Sequence, residues 1–183
     1  MRKISIIFLL LLFISACNSS DEIEPVNVTL KFTHNWDGTP ISSSDLNNFK
    51  FTSQNGELIS IERLRYVVSS FSFPITTKNY QLIDLGQNSG LEIAFIGITP
   101  GTHQLKFTFG FTDADNVDGV YPDLNIANFN VPPILGGGYH YMQFDGKYKD
   151  VNNQDAAFNY HAIRAAIIYK QIHGKVYQTL HSK

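Results

Sequence analysis

The sequence predicts an all-β protein built as an antiparallel β-sandwich with two sheets in an immunoglobulin-like arrangement. Residues 26–36 and 102–111 alternate apolar and polar side chains with a period of two, which is typical of strands with one buried face. Further short apolar runs are separated by Gly, Pro, Asn and Asp, which favour turns. The sequence contains no strand–helix–strand spacing, so a parallel sheet is not expected.

The predicted elements follow one another closely. Residues 26–36 form the first strand, and Asp37-Gly38 turns the chain after it. Residues 112–138 are rich in Asp, Asn, Pro and Gly and are predicted to form a long loop, which in compact domains is often functional. Residues 158–168 suit a helix by their alanines or a strand by their aromatic and β-branched side chains, and we predict a strand. The other strands are predicted at 49–51, 58–61, 64–73, 80–85, 91–96, 102–111 and 139–148.

A secretion signal precedes the domain. Met1-Arg2-Lys3 is cationic, and residues 4–14 are almost entirely apolar. This apolar run is much shorter than the roughly 20 residues that a helix needs to cross a bilayer. We therefore expect residues 1–16 to be a cleaved signal peptide and not a membrane span.

Cys17 is the single cysteine of the chain and directly follows Ile-Ser-Ala. This order resembles the lipobox of bacterial lipoproteins, and the resemblance implies cleavage before Cys17 and acylation of that residue. An ordinary secretory signal with an incidental cysteine is the alternative. With an acylated Cys17, residues 17–25 form a membrane anchor and polar tether. Asn18 and the acidic residues of the tether favour the outer membrane, facing the periplasm or the cell surface.

Composition and motifs limit the function classes. The chain carries 14 basic and 16 acidic side chains without a Lys/Arg cluster, so nucleic acid is not an expected partner. Aromatic residues make up 13% of the chain, which indicates a packed core and not a disordered segment. The sequence lacks a Gly-x-Ser-x-Gly elbow, a phosphate loop, a dinucleotide fingerprint and a His-Glu-x-x-His motif. We therefore predict that the protein is not an enzyme.

Histidines among apolar side chains are the candidate metal ligands. His34 and Trp36 are two residues apart on the first predicted strand, so both leave the same face, and His140 and Met142 repeat this spacing. An imidazole in an apolar wall with a thioether nearby favours copper over magnesium or calcium. For any one of these histidines alone, a hydrogen-bonded structural role is the more common alternative.

Four segments, in order, carry a family resemblance. They are Leu-Arg-Tyr-Val-Val-Ser-Ser-Phe at 64–71, Pro-Gly-Thr at 100–102 with Phe-Thr-Phe-Gly at 107–110, Gly-Tyr-His-Tyr-Met-Gln-Phe-Asp-Gly at 138–146, and Phe-Asn-Tyr-His at 158–161. Together they resemble the MbnP-like copper-binding domain, a family named for a periplasmic protein associated with methanobactin. The resemblance implies a secreted or lipid-anchored β-sandwich of the bacterial envelope. Some members of the family bind copper through two histidines and an oxidised tryptophan.

The resemblance also implies a ligand set. His161 matches the family histidine of the last segment, whereas His34 and Trp36 stand in the reverse order of the Trp-x-His found in copper-binding relatives. We therefore expect an envelope lipoprotein that binds copper for storage, scavenging or handling. His34 and His161 are the main expected ligands, with Trp36, His140 and Met142 as secondary ones. The domain is expected to span residues 26–183, with a truncated or atypical C-terminal end after His161.

A metal-free envelope lipoprotein that offers a structural or ligand-binding surface is the competing function. Tyr121, Tyr139 and Tyr141 lie in or beside the long loop at 112–138. Exposed aromatic side chains on loops often serve in recognition. This function therefore depends on the exposure of those tyrosines.

Overall fold

The structure, a computed structural model, describes residues 24–73, 79–172 and 175–182, with side chains through Arg164. Within these residues the fold is all-β and sandwich-like, and every strand pair is antiparallel, which confirms the predicted fold class. The signal, Cys17 and the tether up to residue 23 lie outside the described residues.

The strands are β1 (Val26–Lys31), β2 (His34–Trp36), β3 (Thr39–Ile41), β4 (Phe49–Thr52), β5 (Leu58–Ser72), β6 (Tyr80–Asp84), β7 (Glu92–Ile98), β8 (Lys106–Phe109), β9 (Met142–Lys149), β10 (Asp155–Ala162), β11 (Ala165–Ile172) and β12 (Lys175–Ser182). A one-turn helix, α1 (Pro122–Ile126), lies between β8 and β9.

The long strand β5 organises the main sheet. It pairs with β9 and then β8 along one edge, and with β4 and β6 along the other, while β10 extends the sheet beyond β9. Alternation along β5 directs Arg63 and Arg65 to one face, which we call the arginine face. Leu64 and Tyr66 point to the opposite face, which we call the apolar face. Side chains on the two faces therefore pack against different parts of the chain.

A second sheet, formed by β1 and β7, packs against the apolar face. Ile93 and Phe95 of β7 are buried in one cluster with Val68 and Ile83 of the main sheet, and Tyr66 packs at its margin. Full burial of such a side chain contributes about 1.5–3 kcal/mol. The contact between the two sheets is therefore a major source of the stability of the sandwich.

The connection between β8 and β9 covers the arginine face. Leu124 of α1 and Phe129 are fully buried against Val67 of β5, together with Tyr139 and Tyr141. The stretch predicted as a loop is therefore an ordered cover with its own core. The burial of Tyr139 and Tyr141 contradicts the exposed aromatic surface on which the metal-free function was argued, because both side chains are needed to fill this cluster.

The hairpin of β9 and β10 ends in a tight turn. The Asp150 N–H donates to the Gln154 carbonyl at 2.9 Å, and the Asp150 carboxylate accepts the N–H groups of Asn152 and Gln154, each at 2.8 Å. Asn153 adopts a positive φ of 58°, a conformation that asparagine tolerates better than most residues. The turn fixes the length of the loop between the two strands.

The strand predicted at 26–36 is in fact two strands. After β1, the Phe32 N–H donates to the Leu91 carbonyl at 2.8 Å, and the chain then leaves the β1–β7 sheet. Strand β2 pairs instead with β3 through a turn in which Asp37 and Gly38 have φ values of 46° and 79°. Positive φ at both central residues suits a two-residue hairpin. The alternation continues across the break because both strands have one buried face.

The predicted strand at 102–111 is shorter than expected, since β8 covers only Lys106–Phe109. Phe107 and Phe109 are each about half exposed. One side of each ring contacts Phe71 or Tyr66, and the other side remains open. The strand predicted at 158–168 is confirmed as β10 and the start of β11, with a break at residues 163–164.

No helix in the part of the chain that the structure describes is both long and apolar enough to cross a membrane.

Candidate metal site

The structure brings His140 and His161 together. Their rings meet edge to face, with centroids 4.8 Å apart and an interplanar angle of 81°. His161 pairs with Gln143 across the β9–β10 hairpin, and Gln143 pairs with Arg65 of β5. Because directly opposite residues of antiparallel strands share a face, His161 lies on the arginine face. Two of the five candidate ligands named from the sequence are thus in contact.

His140 and Met142 do not share a face, although alternation predicted that they would. The His140 N–H donates to the Phe129 carbonyl at 2.9 Å, so this residue still belongs to the covering connection and not to the ladder of β9. Met142 is the first residue of β9 and pairs with Tyr66, which places it on the apolar face. The period of two fails here because it holds only within a continuous strand.

The His140 ring is buried and incompletely hydrogen-bonded. The residue is only 7% exposed, and Nδ1 is a buried nitrogen with no hydrogen-bond partner within the described residues. Burial first, and then the nearby His161 and Arg65, lower the pKa of His140 to about 4, while Asp145 and the Asn130 backbone oppose the shift. The ring is therefore neutral near pH 7. A buried polar atom without a partner typically destabilises by about 1–3 kcal/mol, which a bound ion would relieve.

Asp145 holds the ring of His161. Its Oδ1 lies 2.8 Å from His161 Nε2 and also accepts a hydrogen bond from Asn159 Nδ2 at 2.9 Å. Its Oδ2 lies 3.0 Å from Arg63 Nη1. Asp145 belongs to the family-like segment at 138–146 but was not among the ligands expected from the sequence. Its role depends on strand register, which is not visible in the residue pattern.

The surroundings of the two histidines are polar but balanced in charge. Arg65 Nε donates to Gln143 Oε1 at 2.6 Å, and the Arg65 guanidinium lies 5.4 Å from the centroid of the Phe129 ring. Arg65 also lies 4.0 Å from Asp84, and Arg63 is paired with Asp145. Two guanidinium groups and two carboxylates therefore leave this part of the arginine face without net charge.

His34 lies on the other side of the main sheet. Its Nε2 is 3.1 Å from the Tyr66 hydroxyl, and the two rings are 5.7 Å apart between centroids. Burial lowers the pKa of His34 and raises that of Tyr66 to about 12. Since Tyr66 is on the apolar face, His34 and His161 contact opposite faces of the sheet. The structure does not bring these two expected ligands together.

Trp36 is also separate from the two histidines. Its Nε1 donates to the Thr52 carbonyl at 2.7 Å, and its ring packs on Phe51 at a centroid distance of 5.8 Å. These contacts fasten the β2–β3 hairpin to β4. Over the described ranges, no group of three or more His, Cys, Asp or Glu side chains could hold a metal ion. His140 and His161 are thus a two-donor arrangement.

An all-β sandwich with a pair of adjacent imidazoles on one face of its main sheet defines a candidate metal-binding domain. The MbnP family model matches residues 25–180, and the chain belongs to the MbnP family. The match includes residues 162–180, where no family-like segment was identified from the sequence, and where β11 pairs with β12. Membership indicates a methanobactin-associated, copper-related role. No curated protein and no solved structure matches the chain.

Proposed function

We propose that this protein binds copper through His140 and His161 as an envelope lipoprotein, for storage, scavenging or handling of the metal. The observation that supports this most directly is the contact between the two imidazoles, one of which has a buried Nδ1 with no hydrogen-bond partner among the residues that the structure describes. Both residues were among the ligands expected from the sequence. His161 is also the histidine that matches the family pattern.

The donor chemistry favours copper over other biological metals. Magnesium and calcium prefer oxygen ligands, which an imidazole pair does not supply. Structural zinc sites usually have four ligands, whereas Cu(I) accepts fewer, so a pair of imidazoles comes closer to a sufficient ligand set for Cu(I) than for zinc. The balance of Arg63 and Arg65 against Asp84 and Asp145 also favours a monovalent ion, because these described groups provide no excess negative charge to stabilise a divalent one.

The N-terminal sequence supports a location in the cell envelope. Residues 1–16 have the cationic start and short apolar run of a signal peptide, and Cys17 follows a lipobox-like Ile-Ser-Ala. Two or more acyl chains on Cys17 would give stable anchoring. We propose a role in binding and not in catalysis, since His140 and His161 would act as ligands and the sequence lacks the catalytic motifs named above.

Copper titration of the mature protein tests this proposal. Cu(I) affinity would be measured by competition with a chromogenic chelator for the wild type, His140→Ala and His161→Ala. We expect one copper per wild-type chain and a severe loss of affinity in both variants, because each removes one of two donors. His34→Ala is the matched control, since it removes a histidine on the opposite face of the sheet. Equal uptake and affinity in the wild type, His140→Ala and His161→Ala would contradict the proposal.

A further inference from the structure

We infer that Asp145 is a positioning residue for the copper site: it fixes the tautomer of His161 and makes Nδ1 the nitrogen that binds the metal. This inference rests on the proposed function, because it specifies how one of the two ligands is prepared for copper. Its evidence is the contact between a buried carboxylate and one nitrogen of the ring. Asp145 itself would not bind the ion.

The contact determines which nitrogen of His161 carries the proton. Asp145 Oδ1 lies 2.8 Å from His161 Nε2, within hydrogen-bond distance. An ionised carboxylate has lone pairs and no proton, so it only accepts hydrogen bonds. His161 Nε2 must therefore be the donor. A neutral imidazole has a single N–H, and the remaining nitrogen, Nδ1, then holds the lone pair that a metal needs.

The carboxylate is itself held in place by the sheet. Arg63 and Asn159 are its register partners on β5 and β10, and each contacts one of its oxygens, at 3.0 Å and 2.9 Å respectively. The side chain of Asp145 is about nine-tenths buried. A buried carboxylate requires such partners, and charged hydrogen bonds are shorter and stronger than neutral ones. Because both neighbours lie on strands, the orientation of Asp145 and hence of His161 is set by the sheet.

A carboxylate behind a histidine has a known effect on metal binding. It fixes the orientation of the ring and raises the basicity of the ligating nitrogen, and its loss typically lowers metal affinity 10–100-fold. His140 is made available to a metal in a different way. Burial keeps its ring neutral, and its Nδ1 has no hydrogen-bond partner within the described residues. A hydrogen bond would thus leave a lone pair free for the metal on His161, and desolvation would do so on His140.

Asp145→Asn is the informative variant. With Arg63 still in place, the amide oxygen should turn toward the guanidinium and the amide NH₂ toward His161 and Asn159, whose own side-chain amide should flip to present its oxygen. Nε2 would then have to accept, so the ring should change to the tautomer with the proton on Nδ1. The matched control is Asp155→Asn. Asp155 lies on the same hairpin, and its carboxylate pairs with Lys149 and does not contact a histidine. Asp145→Glu tests whether a restored carboxylate recovers the wild-type behaviour.

Two measurements separate this inference from the proposed function. Nitrogen-15 NMR of the metal-free wild type should show His161 with its proton on Nε2, and this needs neither copper nor a variant. In Asp145→Asn the proton should move to Nδ1 and Cu(I) affinity should fall 10–100-fold, while Asp155→Asn should change neither. A wild-type proton on Nδ1, or an Asp145→Asn variant with unchanged tautomer and affinity, would overturn the inference. A wild type that binds no copper overturns the proposed function, and the NMR result still decides whether Asp145 sets the ring.

Discussion

The rings of His140 and His161 meet edge to face at a centroid distance of 4.8 Å, although one precedes β9 and the other lies near the end of β10. Because β10 runs antiparallel to β9, His161 near the end of β10 lies beside the start of β9, where the covering connection places His140. The contact therefore depends both on the connection over the arginine face and on the register of the hairpin. His34, which alternation placed among the expected ligands, contacts Tyr66 on the other face.

His34→Ala should lower stability without changing copper affinity. The substitution removes the 3.1 Å contact to the Tyr66 hydroxyl and leaves that partly buried group unpaired. Such a loss typically destabilises by about 1–3 kcal/mol. Chemical denaturation of His34→Ala, Tyr66→Phe and the double variant would measure the coupling between the two side chains. If His34→Ala abolished copper binding instead, the ligand set expected from the sequence would be favoured over His140 and His161.

Acid should destabilise the metal-free protein through His140. The folded-state pKa of this residue is lowered to about 4, whereas the unfolded chain should titrate near 6.5. The stabilising contribution is present above pH 6.5 and is lost as pH falls toward 4, because the unfolded chain takes up the proton first. The total effect is at most about 3 kcal/mol.

Urea denaturation between pH 7 and pH 4, in the presence of a chelator, would measure this effect. His140→Phe should remove the corresponding part of the pH dependence, since it keeps an apolar ring beside Phe129 and cannot titrate. Identical pH profiles for the wild type and His140→Phe would contradict the prediction.

Gly146→Ala should destabilise the main sheet. A Cβ at this position would lie 2.2 Å from the Ser60 carbonyl oxygen and 2.6 Å from the Phe158 ring, so the strands would have to separate. Overpacking of this kind typically destabilises by about 1–3 kcal/mol or more. Gly86→Ala is the control, because its Cβ would come no closer than 3.4 Å to a neighbouring atom. Thermal denaturation should show a clear loss for Gly146→Ala, and equal melting temperatures for the two variants would show that the sheet absorbs the added methyl group.

Cys17→Ser should prevent lipid anchoring. The thiol is the expected acylation site, and a hydroxyl cannot replace it in a lipobox-like sequence. Fatty-acid labelling and membrane fractionation should show an unprocessed precursor without incorporated lipid. Ser15→Thr is the control, since it keeps a small hydroxyl residue within the pattern and should be processed normally. A lipidated, membrane-bound Cys17→Ser product would show that the anchor lies elsewhere.

The sequence was most informative where the chain stays within one strand. Alternation correctly placed one face of residues 26–36 toward the core, even though the stretch divides between two sheets. It failed for His140 and Met142, because residue 140 hydrogen-bonds to the connection and not to β5. Asp145 could not be recognised as the partner of His161, because that contact arises from the pairing of β9 with β10. Pairing depends on turn geometry and long-range packing, and neither has a local sequence period.

The tight turn at Asp150–Gln154 has a consequence for the candidate metal site at the other end of its hairpin. Side chains alternate between faces, so a change of one residue in the turn would slide β10 against β9 by one position. His161 would then exchange faces with a neighbour and lose both Asp145 and His140. Asn153, through its positive φ, thus helps to set the register on which the proposed copper site depends. An insertion or deletion in this turn would bring Tyr160 or Ala162 to the place of the His161 imidazole without altering any residue of the candidate site.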